Sequence, residues 1–279
     1  MRSRERRPVA VDDATRTEVS LGGRRGGPDV ATLRTDKWWK LPAVTVAGLS
    51  AFVVYATWAA FFGDHNFFLV EHNLISPFYS PCLGHVCKAA GNTGSPLFDW
   101  WRISPALIIL VFPLGFRMTC YYYRKAYYRS FWRSPVACAV QDAHSSYSGE
   151  TKAPLILQNI HRYFFYAGLV FNVLLTIDAV EAFMWPVGGV HMSIGTLVLC
   201  ANASLLWLYS LSCHACRHLC GGQVRSFSKH PIRHKLWKFV TPLNARHMQF
   251  AWASLIVVAL SDVYVRLAAS GAITDIKIF

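Results

Sequence analysis

Between Leu211 and Gly222 the chain reads L-S-C-H-A-C-R-H-L-C-G-G, with three cysteines and two histidines packed into eight positions. Thiolate and imidazole are the ligands of structural zinc, haem iron and iron–sulfur clusters, so a metal or redox centre is the chemistry these residues offer. The segment stands where an apolar run gives way to arginines and histidines, at a membrane boundary. Cys213 and Cys216, three apart, face the same way if a helix continues through them. His218 follows Cys216 with the spacing of one half of a Rieske ligand pattern.

Such residues need elements to carry them. With 53% hydrophobic and only 15% charged residues in 279, the chain is too apolar for an ordinary soluble domain. At about 20 residues per span, five candidates stand out: 41–63, 104–123, 163–185, 192–211 and 250–267. Pro113 lies inside the second, which is kept because neighbouring helices or a kink can satisfy the freed carbonyl. The expected fold is an all-α integral membrane protein, a five-helix transmembrane bundle over 37–270.

Lysine and arginine set the orientation. Ten, seven and seven of the 28 basic residues fall before span one, over 117–162 and over 212–246. By the positive-inside rule the N-terminus is cytoplasmic and the C-terminus outside. Loops 124–162 and 212–246 are then cytoplasmic, with loop 64–103 and tail 271–279 outside. The +13 charge is topological rather than a sign of nucleic-acid binding. Residues 1–36, rich in Arg and Gly, form a disordered or partner-docking cytoplasmic tail.

In the outside loop, Cys82 and Cys87 are most simply a disulfide, and a metal role for Cys82 with His85 is the weaker reading. Cys120 ends span two, His161 opens span three and His247 opens span five, each within a turn or so of Cys213 and Cys216 in depth. Cys138 and His144 lie in the cytoplasmic loop. Asp178 and Glu181 share a helix face, with Asp178 about 25 Å along the helix from His161 and Asp262 about 22 Å from His247. Acids inside spans are costly, which makes these three a candidate proton route or outer quinone pocket.

The inner ring of Cys120, His161, Cys213, Cys216 and His247 admits three occupants. Haem b needs two opposed imidazoles, for which His161 and His247 serve; a second haem would have only His191 in the bundle. A Rieske-type [2Fe-2S] cluster needs two Cys on one iron and two His on the other, and that inventory is present. Structural zinc is the third.

Four stretches resemble a known family: F-R-M-T-C-Y-Y-Y-R-K-A-Y-Y-R (116–129), L-I-L-Q-N-I-H-R-Y-F-F-Y (155–166), L-S-C-H-A-C-R-H (211–218) and L-N-A-R-H-M-Q (243–249). The chain is similar to the single-chain, cytochrome b-type membrane anchor of actinobacterial, mycobacterial-type succinate dehydrogenase. That resemblance implies a multi-pass plasma-membrane subunit holding a cytoplasmic flavoprotein and an iron–sulfur protein, and passing electrons to menaquinone. The better-known single-chain anchors carry two haems b on four histidines, from which this sequence departs. An actinobacterial branch is associated with a membrane-embedded Rieske-type cluster, and the Cys and His ring fits it better.

On that reading His161 and His247 hold one iron, and Cys213 or Cys216, with Cys120 or each other, the second. Arg162, Arg246, Trp237 and Tyr163 lie at the level to bind a quinone, in a site bordered by membrane lipid. The family reading leaves room for a small accessory membrane subunit and for a homo-oligomer of the whole complex. The rivals are a passive anchor stapled by zinc and disulfide, and a solute transporter, against which the sequence shows no internal repeat.

Overall fold

A computed structural model of the protein describes residues 34–62, 65–80, 106–134, 136–144, 152–153, 155–186 and 188–279. The expected pairing of Cys82 with Cys87, and His85 beside it, lies outside the described residues. So does the N-terminal tail through residue 33.

What is described is almost entirely helical. The helices are α1 (Lys40–Phe61), α2 (Ala106–Thr119), α3 (Tyr121–Ser130), α4 (His161–Glu181), α5 (Ile194–Leu211), α6 (His214–Gly221), α7 (Pro231–Ala245) and α8 (His247–Ala269). A small antiparallel hairpin, β1 (Phe68–Leu69) and β2 (Leu74–Ile75), pairs Phe68 with Ile75 and Leu69 with Leu74. Helix α5 packs between α4 and α8, α2 lies against α4, and α1 leans on α2 and α3.

Helices α1, α5 and α8, and α4 with the turn before it (Ile156–Glu181), are long and apolar enough to cross a membrane. Leu41, Val54, Val111, Val170, Ile256 and Leu260 are each more than half exposed on the bundle's outside. An exterior of that kind is solvated by lipid tails rather than water.

The second expected span, 104–123, departs from a straight crossing. Helix α2 stops at Thr119 and α3 leaves it at 78°, so a fifth crossing exists only as one broken span. The cause is local: Cys120 adopts extended backbone, φ −62° and ψ 133°. Beyond it Arg124, Lys125 and Arg129 make α3 too polar for hydrocarbon. Pro113 does sit inside α2, as kept from the sequence.

Close helix approach depends on Gly115, where an added Cβ would stand 2.4 Å from the Phe164 ring. Gly115→Ala is therefore expected to overpack the α2–α4 contact at about 1–3 kcal/mol, read as a lower melting temperature in detergent.

At the end away from Cys213, the C-terminal tail pairs antiparallel with the start of α5, joining Ser193 to Lys277. Ser193 and Thr196 form a capping box there, which ends the loop and starts the helix. The Asp275 carboxylate locks the tail down. It accepts from the Gly195 amide (2.8 Å) and the Tyr264 hydroxyl (2.6 Å) and sits 2.5 Å from His72 Nδ1. Burial pushes this carboxyl up, but hydrogen bonds from Ser193, Tyr264, His72 and Gly195 together hold it below its ordinary 3.8.

A depressed acid stabilises the fold above its unfolded pKa and loses that contribution as pH falls through the folded value. The Ile278 amide, bonded to the Met192 carbonyl at 2.7 Å, should accordingly lose hydrogen-exchange protection only below about pH 4.

Candidate metal centre

Two helix breaks build the site. At Cys120, between α2 and α3, and at Cys213, between α5 and α6, a single residue turns extended, with ψ 133° and 145°. Helical bonding resumes at once. The Arg124 amide donates to the Cys120 carbonyl (2.9 Å) and the Arg217 amide to that of Cys213 (3.1 Å). Each cysteine thus becomes the N-cap of a short helix, and each is 1% exposed.

The residues around the two breaks match: Phe116-Arg-Met-Thr119-Cys120-Tyr-Tyr-Tyr-Arg124 and Tyr209-Ser-Leu-Ser212-Cys213-His-Ala-Cys-Arg217. An aromatic stands four before each cysteine, a hydroxyl one before and an arginine four after. The two halves serve the two histidines crosswise. His161 Nε2 lies 3.0 Å from Cys213 Sγ, while its Nδ1 lies 2.9 Å from Thr119 Oγ1. His247 Nε2 lies 3.2 Å from Cys120 Sγ, while its Nδ1 lies 2.7 Å from Ser212 Oγ. Phe116 stacks on His161 at 5.2 Å between centroids, and Tyr209 on His247 at 5.1 Å.

Every imidazole therefore has one nitrogen fixed by a hydroxyl, one face covered by an aromatic ring, and its other nitrogen turned to a thiol. Orientation through the far nitrogen is how proteins set a histidine ligand. Arg117 adds charge: it is buried, its guanidinium 4.7 Å from the Tyr209 ring centroid, and it donates to Tyr123 Oη (2.9 Å), Ser254 Oγ (3.1 Å) and the Ala251 carbonyl (3.3 Å).

The helix does not continue through Cys213, the condition on which the sequence set the two cysteines facing the same way; Cys213 caps α6, and Cys216 lies within it beside both Cys213 and Cys220. Burial, with the nearby Cys220 thiol, pushes Cys216 up to about 11, a protonated thiol at neutral pH. Among the described residues no three His, Cys, Asp or Glu converge on one metal ion, as a zinc site would require.

The residues expected around a quinone lie on the same level as the site and make surface contacts. Arg162 donates to His218 Nδ1 (3.0 Å), Tyr163 is 72% exposed, Trp237 lies 4.7 Å beneath Arg217, and Arg246 is exposed. His144 holds the Trp132 carbonyl at 3.0 Å, and the Cys138 carbonyl accepts from Arg34 at 3.2 Å, both on the surface. At the opposite end His191 sits 2.9 Å from the Gly188 carbonyl, Asp178 is buried and Glu181 half-buried. Asp262, fully buried, pairs with Arg266 at 2.8 Å and is bonded by Tyr55 and Ser76.

Thr119, Ser212, Phe116, Tyr209 and Arg117 were not singled out from the sequence. The repeated aromatic-x-x-hydroxyl-Cys-x-x-x-Arg pattern was the signal that would have found them.

Fold and site together define a helical membrane anchor with thiol–imidazole pairs buried at one end. The family model of the actinobacterial succinate dehydrogenase subunit SdhC matches residues 40–271, and the chain belongs to that family. It is also similar to a chain solved as "Mycobacterium smegmatis Sdh1 complex in the apo form", at 48% identity, a TM-score of 0.81, and coverage of 92% of this chain and 97% of that one. No curated protein matches it.

Proposed function

We propose that this chain anchors a succinate:quinone oxidoreductase in the plasma membrane and carries electrons from the soluble iron–sulfur subunit to menaquinone through a [2Fe-2S] cluster. The flavoprotein and iron–sulfur partners dock on the cytoplasmic side, where α6, α7 and the loop between them carry Arg217, Arg225, Lys229, Arg233, Lys235 and Lys238. Helix α2 serves as the second of five crossings, with α3 turned out along the cytoplasmic face, the N-terminus cytoplasmic and the C-terminus outside, as the positive-inside count favours.

The observation that carries the reading is the pair of facing contacts, Cys120 with His247 and Cys213 with His161. Two thiols and two imidazoles are the donor set of a His-ligated [2Fe-2S] centre, which takes up and releases single electrons. Cys120, Cys213, His161 and His247 would hold such a cluster, with Cys120 beside His247 and Cys213 beside His161. Thr119 and Ser212 orient the imidazoles, Phe116 and Tyr209 keep water from them, and Arg117 offsets the negative charge of thiolate ligands.

Haem b, the competing occupant, would need His161 and His247 to present nitrogens to one iron; the thiols already face those nitrogens. Electron paramagnetic resonance on the purified complex decides. A [2Fe-2S] signal beyond those of the soluble subunits is expected. Sharp reduced haem bands instead, or no additional iron, would refute the electron-carrier reading and leave a passive anchor.

A further inference from the structure

The sequence of α7, P-I-R-H-K-L-W-K-F-V-T-P-L-N-A, divides the helix into three faces at 3.6 residues per turn. One face is pinned to the protein. Arg233 donates to the carbonyls of Leu219, Cys220 and Gly222 at 2.9–3.0 Å, satisfying the open end of α6. Trp237 packs against Gly221, where an added Cβ would stand 2.2 Å from the indole, and Val240 is buried. Asn244 Nδ2 donates to the Ser212 carbonyl at 2.7 Å, which holds the last turn of α7 level with the break at Cys213.

The other two faces are open. Ile232, Leu236 and Phe239 are 73%, 49% and 62% exposed and fall, with Leu243, within an arc of about 60° on the helix. Next around the helix come Arg246 and Lys235, then Lys238, all exposed. The apolar stripe runs toward Arg246, and one residue further on α8 begins, with Met248 exposed on its exterior. Lipid on the outside of α8 therefore adjoins the stripe at its C-terminal end, and cations border it on the side where lipid phosphates lie. A helix with one apolar and one basic edge, joined directly to a spanning helix, has the build of a segment that lies in a membrane surface.

We infer that α7 lies in the headgroup layer of the leaflet at the Cys213 end and binds anionic phospholipid there. Ile232, Leu236 and Phe239 sink to the acyl boundary, Arg246 meets phosphate at the edge of the stripe, and Lys235 and Lys238 turn up toward the soluble subunits. All three cations stand within about 10 Å of the lipid surface, a Debye length at 0.1 M salt, so their field favours an anionic leaflet over a neutral one. The seat bears on the site: Asn244 holds the Ser212 carbonyl, and the Ser212 hydroxyl stands 2.7 Å from His247 Nδ1. Lipid beneath α7 thus steadies one of the two imidazoles. None of these contacts depends on a bound cofactor, so the lipid seat and the electron-transfer reading can fail separately.

The test is photo-crosslinking of the whole complex in vesicles of equimolar phosphatidylglycerol and phosphatidylcholine, with benzoylphenylalanine in place of Phe239 and, separately, of Lys238. Phospholipid adducts are expected from the Phe239 site, at least threefold richer in phosphatidylglycerol, and at least tenfold fewer from the Lys238 site. Arg246→Gln should bring the ratio of the two lipids toward one. Crosslinks from the Phe239 site to a soluble subunit instead of lipid would overturn the assignment and make the stripe a protein-docking face. Equal yields of the two lipids would overturn the anionic preference. Hydrogen exchange on the unlabelled complex guards against a probe that displaces the helix. Amides of 232–243 should exchange at least threefold more slowly in vesicles containing phosphatidylglycerol than in pure phosphatidylcholine, and the double change Ile232→Asn with Phe239→Asn should remove the difference while α5 exchanges as before. Equal exchange of the unaltered complex in the two kinds of vesicle would also overturn it.

Discussion

Cys120→Ser and Cys213→Ser should each abolish the additional [2Fe-2S] signal proposed for the complex and bring its iron down to that of the soluble subunits. A serine alkoxide is a poor substitute for thiolate toward iron, and each change removes one of the two sulfurs that face an imidazole. Cys216→Ser is expected to leave signal and iron intact, because Cys216 lies with Cys220 and faces neither histidine. Quinone reduction should fail in the first two variants and persist in the third. Thr119→Val and Ser212→Ala make a graded test, since each frees one imidazole to rotate without touching a ligand. Loss of such an orienting partner typically costs about 10–100-fold in metal affinity, to be read by titrating the reconstituted apo complex with iron and sulfide. Loss of the signal in Cys216→Ser with its retention in Cys213→Ser would show that the helix break does not select the ligand.

Much of this was legible because the membrane makes depth readable. Apolar runs mark the helices, and residues at the ends of runs share a level. This is how Cys120, His161, Cys213 and His247 came together on paper although 127 positions separate Cys120 from His247. What stayed hidden depends on direction rather than depth. A helix continued through Cys213 turns Cys216 to the same side, and the extended residue at the break, which no hydropathy run shows, removes that continuity. The crosswise service of Thr119 and Ser212 likewise needs α2 and α5 to be set opposite each other, which no hydropathy window contains. The membership of Asp262 in a clamp was half visible, since Arg266 follows at the i,i+4 spacing; Tyr55 and Ser76 arrive from 207 and 186 positions away.

That clamp carries the other large effect. Asp262 is fully buried and accepts from Arg266 Nε at 2.8 Å, with Tyr55 and Ser76 also bonded to it. Arg266 in turn donates to the His65 carbonyl at 2.8 Å and lies 5.2 Å from the Trp58 ring centroid and 5.6 Å from that of Tyr79. One ion pair thereby ties α1, α8 and the 65–80 loop together. Asp262→Ala leaves a guanidinium in an apolar interior, and Arg266→Met leaves a carboxylate. Each is expected to cost about 3–5 kcal/mol, measured as denaturant-induced unfolding in detergent. The double change Asp262→Leu with Arg266→Met should recover most of that loss, because the charges and their desolvation penalty leave together. A proton route through Asp262 makes the opposite forecast: Asp262→Asn would slow quinone reduction with stability unchanged, and the double variant would be stable but inactive. Recovery of both stability and turnover in the double variant would assign Asp262 to holding the fold.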